Sequence, residues 1–145
     1  MPDLHDVAQL AAANGHLAVV STVRADGTVQ ASLVSAGVST HPTTGQQVLA
    51  FVAAGRVKLA NLRARPRATV TLHHRWKWLT VEGTADLAGP DDPQLGLRPE
   101  QLTALLRAIF VDAGGTHDDW PTYDRTMAEE RRVAVLIEPT RVYGN

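Results

Sequence analysis

Gly55-Arg56-Val57-Lys58 is where this sequence most plainly offers chemistry. It follows an apolar run, Val48–Ala53, and opens the short segment Arg56–Ala64. Pro66 ends that segment by biasing Arg65 away from helical dihedrals. If Arg56–Ala64 is a helix, its first amides present free N–H groups and the positive end of the helix dipole. Two cationic side chains in that first turn are mildly unfavourable by themselves. They become favourable when an anion docks, so a glycine corner, free amides and two cations describe a site for phosphate or carboxylate. The competing reading is a solvated basic face. Arg63 and Arg65 fall at the opposite end, where cations suit the dipole without a ligand.

Trp76 and Trp78 flank Lys77 and share a face if a strand starts early enough to include all three. A flat aromatic pair stacks on a planar ring, or plugs a barrel end or subunit contact. Other candidates lead to bland readings. His73 and His74 are adjacent, so on a strand they point to opposite faces and share no metal. His117-Asp118-Asp119 precedes a helical stretch as a cap does. The acidic pairs Asp91-Asp92 and Glu129-Glu130 read as solvated charges, and no carboxylate pair is spaced for general acid–base work. There is no G-x-G-x-x-G, phosphate loop or G-x-S-x-G elbow. No catalytic side chain and no metal ligand set is therefore expected.

The elements that must position the basic corner follow from periodicity and turn chemistry. Leu4–Ala13 carries a helical apolar stripe closed by Asn14-Gly15. His16–Arg24 and Val29–Ser39 read as strands joined by the Asp26-Gly27 turn, a strong hairpin signal. Gln46–Ala53 is a third strand, without alternation and hence covered on both faces from Val48 on. Arg67–His74 and Trp78–Leu87 follow, with Gly83 marking a bulge or close backbone approach. Pro99–Ala113 and Trp120 to about Glu130 are helices, and Arg132–Glu138 is a last buried strand limited by Pro139. Strands joined by short turns, interrupted by a few helices, give an α+β fold built on an antiparallel sheet or barrel, not a doubly wound one.

Composition sets the bounds. A chain of 145 residues suits one domain, taken as 1–145. A net charge of −1 argues against general nucleic-acid binding, and the absence of cysteine excludes disulfides and thiolate chemistry. No apolar run is long enough to span a membrane, and no basic residue precedes Arg24, so a signal peptide is not expected. A cytoplasmic location is the expectation.

Three blocks carry a family likeness: the Asp-Gly hairpin followed by V-Q-A-S-L-V, the run G-R-V-K-L-A-N-L-R-A-R-P-R at Gly55–Arg67, and V-E-G-T-A at Val81–Ala85 after a tryptophan-bearing turn. With the closing Arg141-Val142-Tyr143-Gly144, the chain resembles the split β-barrel flavoproteins related to pyridoxamine 5′-phosphate oxidase. It is most similar to the mycobacterial-type branch that uses the deazaflavin coenzyme F420. The resemblance implies an antiparallel six-stranded split barrel with flanking helices, a homodimer, and a cofactor groove between subunits. It implies that Arg56 and Lys58 hold the cofactor's phosphate or acidic tail. Phe51, Val52 and Ala53 would line the ring with strand backbone, and Ser32 would lie near it. Asn61 would orient the helix or reach the anion, and Trp76, with Trp78 beside it, would close over the cofactor. Leu33 departs from the polar residue expected in close relatives. The implied activity is hydride transfer from reduced deazaflavin to a small electron-poor acceptor such as a conjugated alkene. FMN chemistry on the same barrel, and a cofactor carrier without turnover, are the alternatives.

Overall fold

The computed structural model describes residues 1–145. Helix α1, Leu4–Ala13, starts at Asp3, which forms a reciprocal capping box with Asp6. Strands β1 (Leu17–Val23) and β2 (Val29–Ser35) form a hairpin whose register runs from Leu17↔Ser35 to Val23↔Val29. At its tip Gly27 has φ 86°, and Asp26 accepts hydrogen bonds from Thr28.

The six-stranded expectation requires a correction: the sheet has seven strands. What reads as one strand, Val29–Ser39, breaks at Ala36, whose N–H donates to the His16 carbonyl. Beyond it, β3 (Gly37–Thr40) leaves β1 and pairs with β4 (Gln47–Ala53). Gly37 permits the switch because a Cβ there would lie 2.1 Å from the Asp112 carbonyl oxygen. Helix α2 (Arg56–Ala64) follows, then β5 (Arg67–His74) and β6 (Lys77–Ala88). Helices α3 (Pro99–Asp112) and α4 (Trp120–Glu129) precede the last strand, β7 (Val133–Gly144). The order is β2-β1-β5-β6-β7-β4-β3, antiparallel throughout. Its two ends, β2 and β3, are consecutive in the chain, so the sheet curls back on itself as a split barrel.

Pro139 does not end the last strand as expected. The ladder between β6 and β7 shifts register at Glu82/Gly83, and Gly83 then faces Pro139. The bulge absorbs the missing proline donor, so pairing resumes through Gly144. Gly83 is there because the backbones touch: a Cβ would sit 2.2 Å from the Glu138 carbonyl oxygen and 2.7 Å from Ile137 Cγ2. Gly83→Ala is therefore expected to cost about 2–3 kcal/mol, read from urea denaturation of the two proteins.

Two apolar cores share the central strands. Leu49, Phe51 and Ala53 of β4 enter the barrel core with Val20, Val70, Leu72, Val81 and Val135. Val48, Ala50 and Leu136 face the other way, onto Leu105, Leu106 and Ile109 of α3 and Tyr123 of α4. This double cover explains why β4 lacks alternation. No helix is long and apolar enough to cross a membrane.

One face departs from the inside-out pattern. Leu17, Val19 and Val23 of β1 and Val29 and Leu33 of β2 are between 37% and 64% exposed. Cross-strand pairing sets Val19 beside Leu33 and Val23 beside Val29, so these five form a continuous apolar stripe outside the barrel.

Candidate functional site

The corner between β4 and α2 gathers most of the sequence-predicted residues. β3 stops pairing at Gly37↔Ala50, whereas β4 continues against β7 to Ala53↔Val133. From Phe51 to Ala53 one backbone edge of β4 thus has no strand hydrogen-bonded to it. β2 runs beside β4 without pairing to it, and the two bound the split in the barrel. Phe51 is fully buried and Ala53 nearly so, with both side chains in the barrel core, while Val52 packs on the helical core. What these three offer the split is backbone.

Across it, Gln30, Ser32 and Val34 are the less exposed face of β2. The Ser32 hydroxyl is shut off from solvent and has no hydrogen-bond partner. A buried hydroxyl left so costs about 1–3 kcal/mol, which makes it a group awaiting an acceptor or donor. Leu33 lies on the opposite face, 64% exposed, so alternation takes it away from the split.

Helix α2 begins at Gly55, which supplies no side-chain cap, so its first amides stay open. Its seat is fixed by Asn61. This buried amide donates to Thr22 Oγ1 at 3.0 Å and accepts from Arg65 at 3.4 Å, and Thr22 in turn meets Gln30 Oε1 at 3.4 Å. Asn61 therefore joins helix to hairpin and has its amide engaged in that joint.

Lys58 is the anomaly. It is only 8% exposed and none of the chain's ion pairs or side-chain hydrogen bonds includes it. Its ammonium folds back over the glycine corner, where a Cβ on Gly55 would touch Nζ at 3.7 Å, and lies 5.8 Å from the centre of the Phe51 ring. Burial, with the charge of Arg132 adding to it, pushes the Lys58 pKa below its usual 10.5. Arg56, two residues earlier, is exposed and equally without a protein partner. Neighbouring arginines are satisfied: Arg63 grips Asp92 through two nitrogens at 2.9 and 2.7 Å, and Arg131 pairs with Asp91. An unneutralised, desolvated cation beside open helix amides is a site for an anion.

Trp76 and Trp78 lie elsewhere. Arg75, at φ 56°, and Trp76 make the turn between β5 and β6, and β6 starts only at Lys77. Trp76 therefore does not share a strand face with Trp78. Trp76 is 91% exposed; Trp78 is 38% exposed and meets Tyr143 edge-on at 6.1 Å. Asn145 holds this turn, donating to the Trp76 carbonyl at 2.7 Å and accepting from the Trp78 N–H at 2.8 Å. The far end of β6, Ala88, pairs with Ala134, next to the Ala53↔Val133 pair. At about 3.3 Å per residue, the strand puts roughly 30 Å between the tryptophan turn and the glycine corner. A single chain does not bring the tryptophans to the cations.

Sequence reading missed Arg132, which stands one residue before the strand that pairs with Ala53 and adds its charge to that of Lys58. In the sequence it reads only as the first residue of the last strand; the β4–β7 register is what places it beside Lys58. Elsewhere Asp119 caps α4 through Thr122, and His117 accepts from the Asp119 N–H, as a capping segment does.

An antiparallel sheet that curls round without closing, with a basic helix corner beside the gap, is a split barrel. The chain belongs to the pyridoxamine 5′-phosphate oxidase family, whose sequence pattern matches residues 5–144. Solved structures share the fold. A conserved hypothetical protein from Mycobacterium tuberculosis superposes with TM-score 0.70 at 19% identity, over 99% of this chain and 84% of that one. A protein described as an F420 reductase gives 0.60 at 22% identity, over 89% and 90%. A pyridoxamine 5′-phosphate oxidase-related, FMN-binding protein from Nostoc punctiforme gives 0.59 at 14%, over 88% and 73%. At such identities the likeness is one of fold.

Proposed function

We propose that this chain is a coenzyme F420-dependent oxidoreductase, working as a homodimer, that passes hydride between a reduced deazaflavin and a small electron-poor organic acceptor. The observation that carries the reading is Lys58, a buried ammonium with no protein anion, set at the open amides of α2. The residues fit a cofactor with a planar head and an anionic tail. Arg56, Lys58 and the first amides of α2 take the negative tail. The free backbone edge at Phe51–Ala53 and the orphaned hydroxyl of Ser32 face the polar rim of the ring. Asn61 keeps the helix in register with the hairpin and acts as a positioning residue.

When bound, a reduced deazaflavin supplies a hydride from the carbon at position 5 of its central ring. The protein's part is to fix distance and face and to exclude water. The exposed apolar stripe on β1 and β2 supports a second copy of the chain as the cover for that face, because monomers rarely leave such a patch open. Across that dimer the partner's exposed tryptophan turn would complete the groove.

Titration of purified protein with coenzyme F420 and with FMN tests the reading. The expected outcome is saturable quenching or a spectral shift of deazaflavin fluorescence and weaker binding of FMN. Turnover of enones or quinones with the reduced deazaflavin would follow. Tight yellow FMN recovered from cells that lack deazaflavin would overturn the cofactor preference and leave the FMN-dependent alternative.

A further inference from the structure

Behind the glycine corner lies a second concavity, independent of the split. It is a cavity of about 390 Å³ bounded by the loop at 89–98, α3, α4 and Arg132. That volume lies within the ~300–1,000 Å³ of small-molecule pockets. Its wall is mainly aliphatic, with Leu95, Leu97, Leu102, Leu106 and Met127 turned toward it. These residues border the helical core, and none belongs to the barrel interior.

The carboxylates and the phenol in the wall are all engaged. Asp92, almost wholly buried, is neutralised by the two-nitrogen grip of Arg63. Asp124 is held in the same way by Arg107. The Tyr123 hydroxyl donates to the Leu106 carbonyl at 3.1 Å. None of these has reason to seek a ligand. Arg132 differs: its Nε donates to Glu130 at 3.0 Å, while neither terminal nitrogen has a protein acceptor.

An aliphatic chamber with satisfied acids and one half-used guanidinium selects a particular chemistry. A neutral apolar molecule would fit the walls but leave the guanidinium unanswered. A polyanion would match the charge and waste the walls. We infer that this cavity binds a small apolar monocarboxylate, an alkyl or aryl acid whose carboxylate meets the free edge of Arg132 and whose body lies against Leu102, Leu106 and Met127. A planar carboxylate fits the forked donor geometry of arginine.

Calorimetric titration of the full chain with octanoate, against 1-octanol at matched concentration, tests this. Octanoate should bind saturably, and octanol at least about tenfold more weakly, the loss expected when a charge-assisted contact is absent. Arg132→Gln, a change at a side chain 31% exposed, should bring octanoate down to the level of octanol. Thr103→Trp, which fills the chamber from α3, should abolish octanoate binding while leaving deazaflavin titration unchanged, so failure here is distinct from failure of the cofactor reading. No saturable heat with the unaltered protein would overturn the proposal. So would equal affinity for acid and alcohol, or octanoate binding that survives Arg132→Gln.

Discussion

Replacing Lys58 with methionine is expected to make the cofactor-free protein more stable and a far poorer binder. Most truncations at a binding site lose on both counts or are neutral in stability. Here the two effects should have opposite signs, because Lys58 is buried without an anion. Burying an unpaired ammonium is unfavourable, and methionine keeps the aliphatic stem that packs near Phe51 while removing the charge. The melting temperature should rise by a few degrees. Deazaflavin affinity should fall about 10- to 150-fold, the equivalent of the ~1.5–3 kcal/mol of a lost charge-assisted hydrogen bond. The pH dependence adds a check. The folded pKa of Lys58 lies below its usual 10.5, so between those two values the unfolded chain binds more protons and stability rises with pH. The penalty carried by Lys58 is complete below the folded value. The stability gap between the two proteins should therefore narrow as pH climbs toward 10.5. Paired thermal melts across that range read it. A variant less stable than the parent at neutral pH, with unchanged cofactor affinity, would mean that Lys58 is a structural residue.

How far the sequence foretold this corner depends on the range of the interactions involved. Helix bounds were legible to within a residue because caps and breakers are local: Asn14-Gly15 after α1, Pro66 beyond α2, Asp119 at α4. The double cover of β4 could be read from its unbroken apolar run. Two readings failed where a distant backbone decides the outcome. The break at Ala36 depends on Asp112 crowding Gly37, and the passage of β7 through Pro139 depends on the bulge at Gly83 on another strand. The outward face of the β1–β2 hairpin was misleading in another way. Val19, Val29 and Leu33 alternate as core residues do, yet in one chain they face outside, because alternation tells which residues share a face and not what covers it. Within the site, Arg56 and Lys58 were singled out by their place in the first turn of α2, and Asn61 only by the family resemblance. Arg132 was not, since its proximity to Lys58 arises only from the pairing of β7 with β4. The tryptophan turn is well ordered by Asn145, and no local signal could have shown that one chain keeps it apart from the cations.

That separation leads to the second large effect, one that needs two chains. If the stripe of Leu17, Val19, Val23, Val29 and Leu33 is a subunit contact, Leu33→Asp should place a lone carboxylate at its centre and leave the protein monomeric by sedimentation. Folding should be spared, since Leu33 is 64% exposed in the single chain. Cofactor binding should be lost with the dimer, although residue 33 points away from the split. Trp76→Ala should likewise weaken binding without altering stability, because its indole is 91% exposed and packs on nothing in its own chain. Mixing then decides whether the groove is shared. Refolding Lys58→Met and Trp76→Ala chains together gives heterodimers with one groove that carries both intact residues and one that carries neither. With random pairing, roughly a quarter of all grooves regain full affinity, although each parent preparation has none. Recovery of tight sites at that fraction requires the lysine of one subunit and the tryptophan of the other to meet on one cofactor. A mixture that titrates as the plain average of its weak parents would place both residues in the same chain's groove, against the ~30 Å that β6 sets between them.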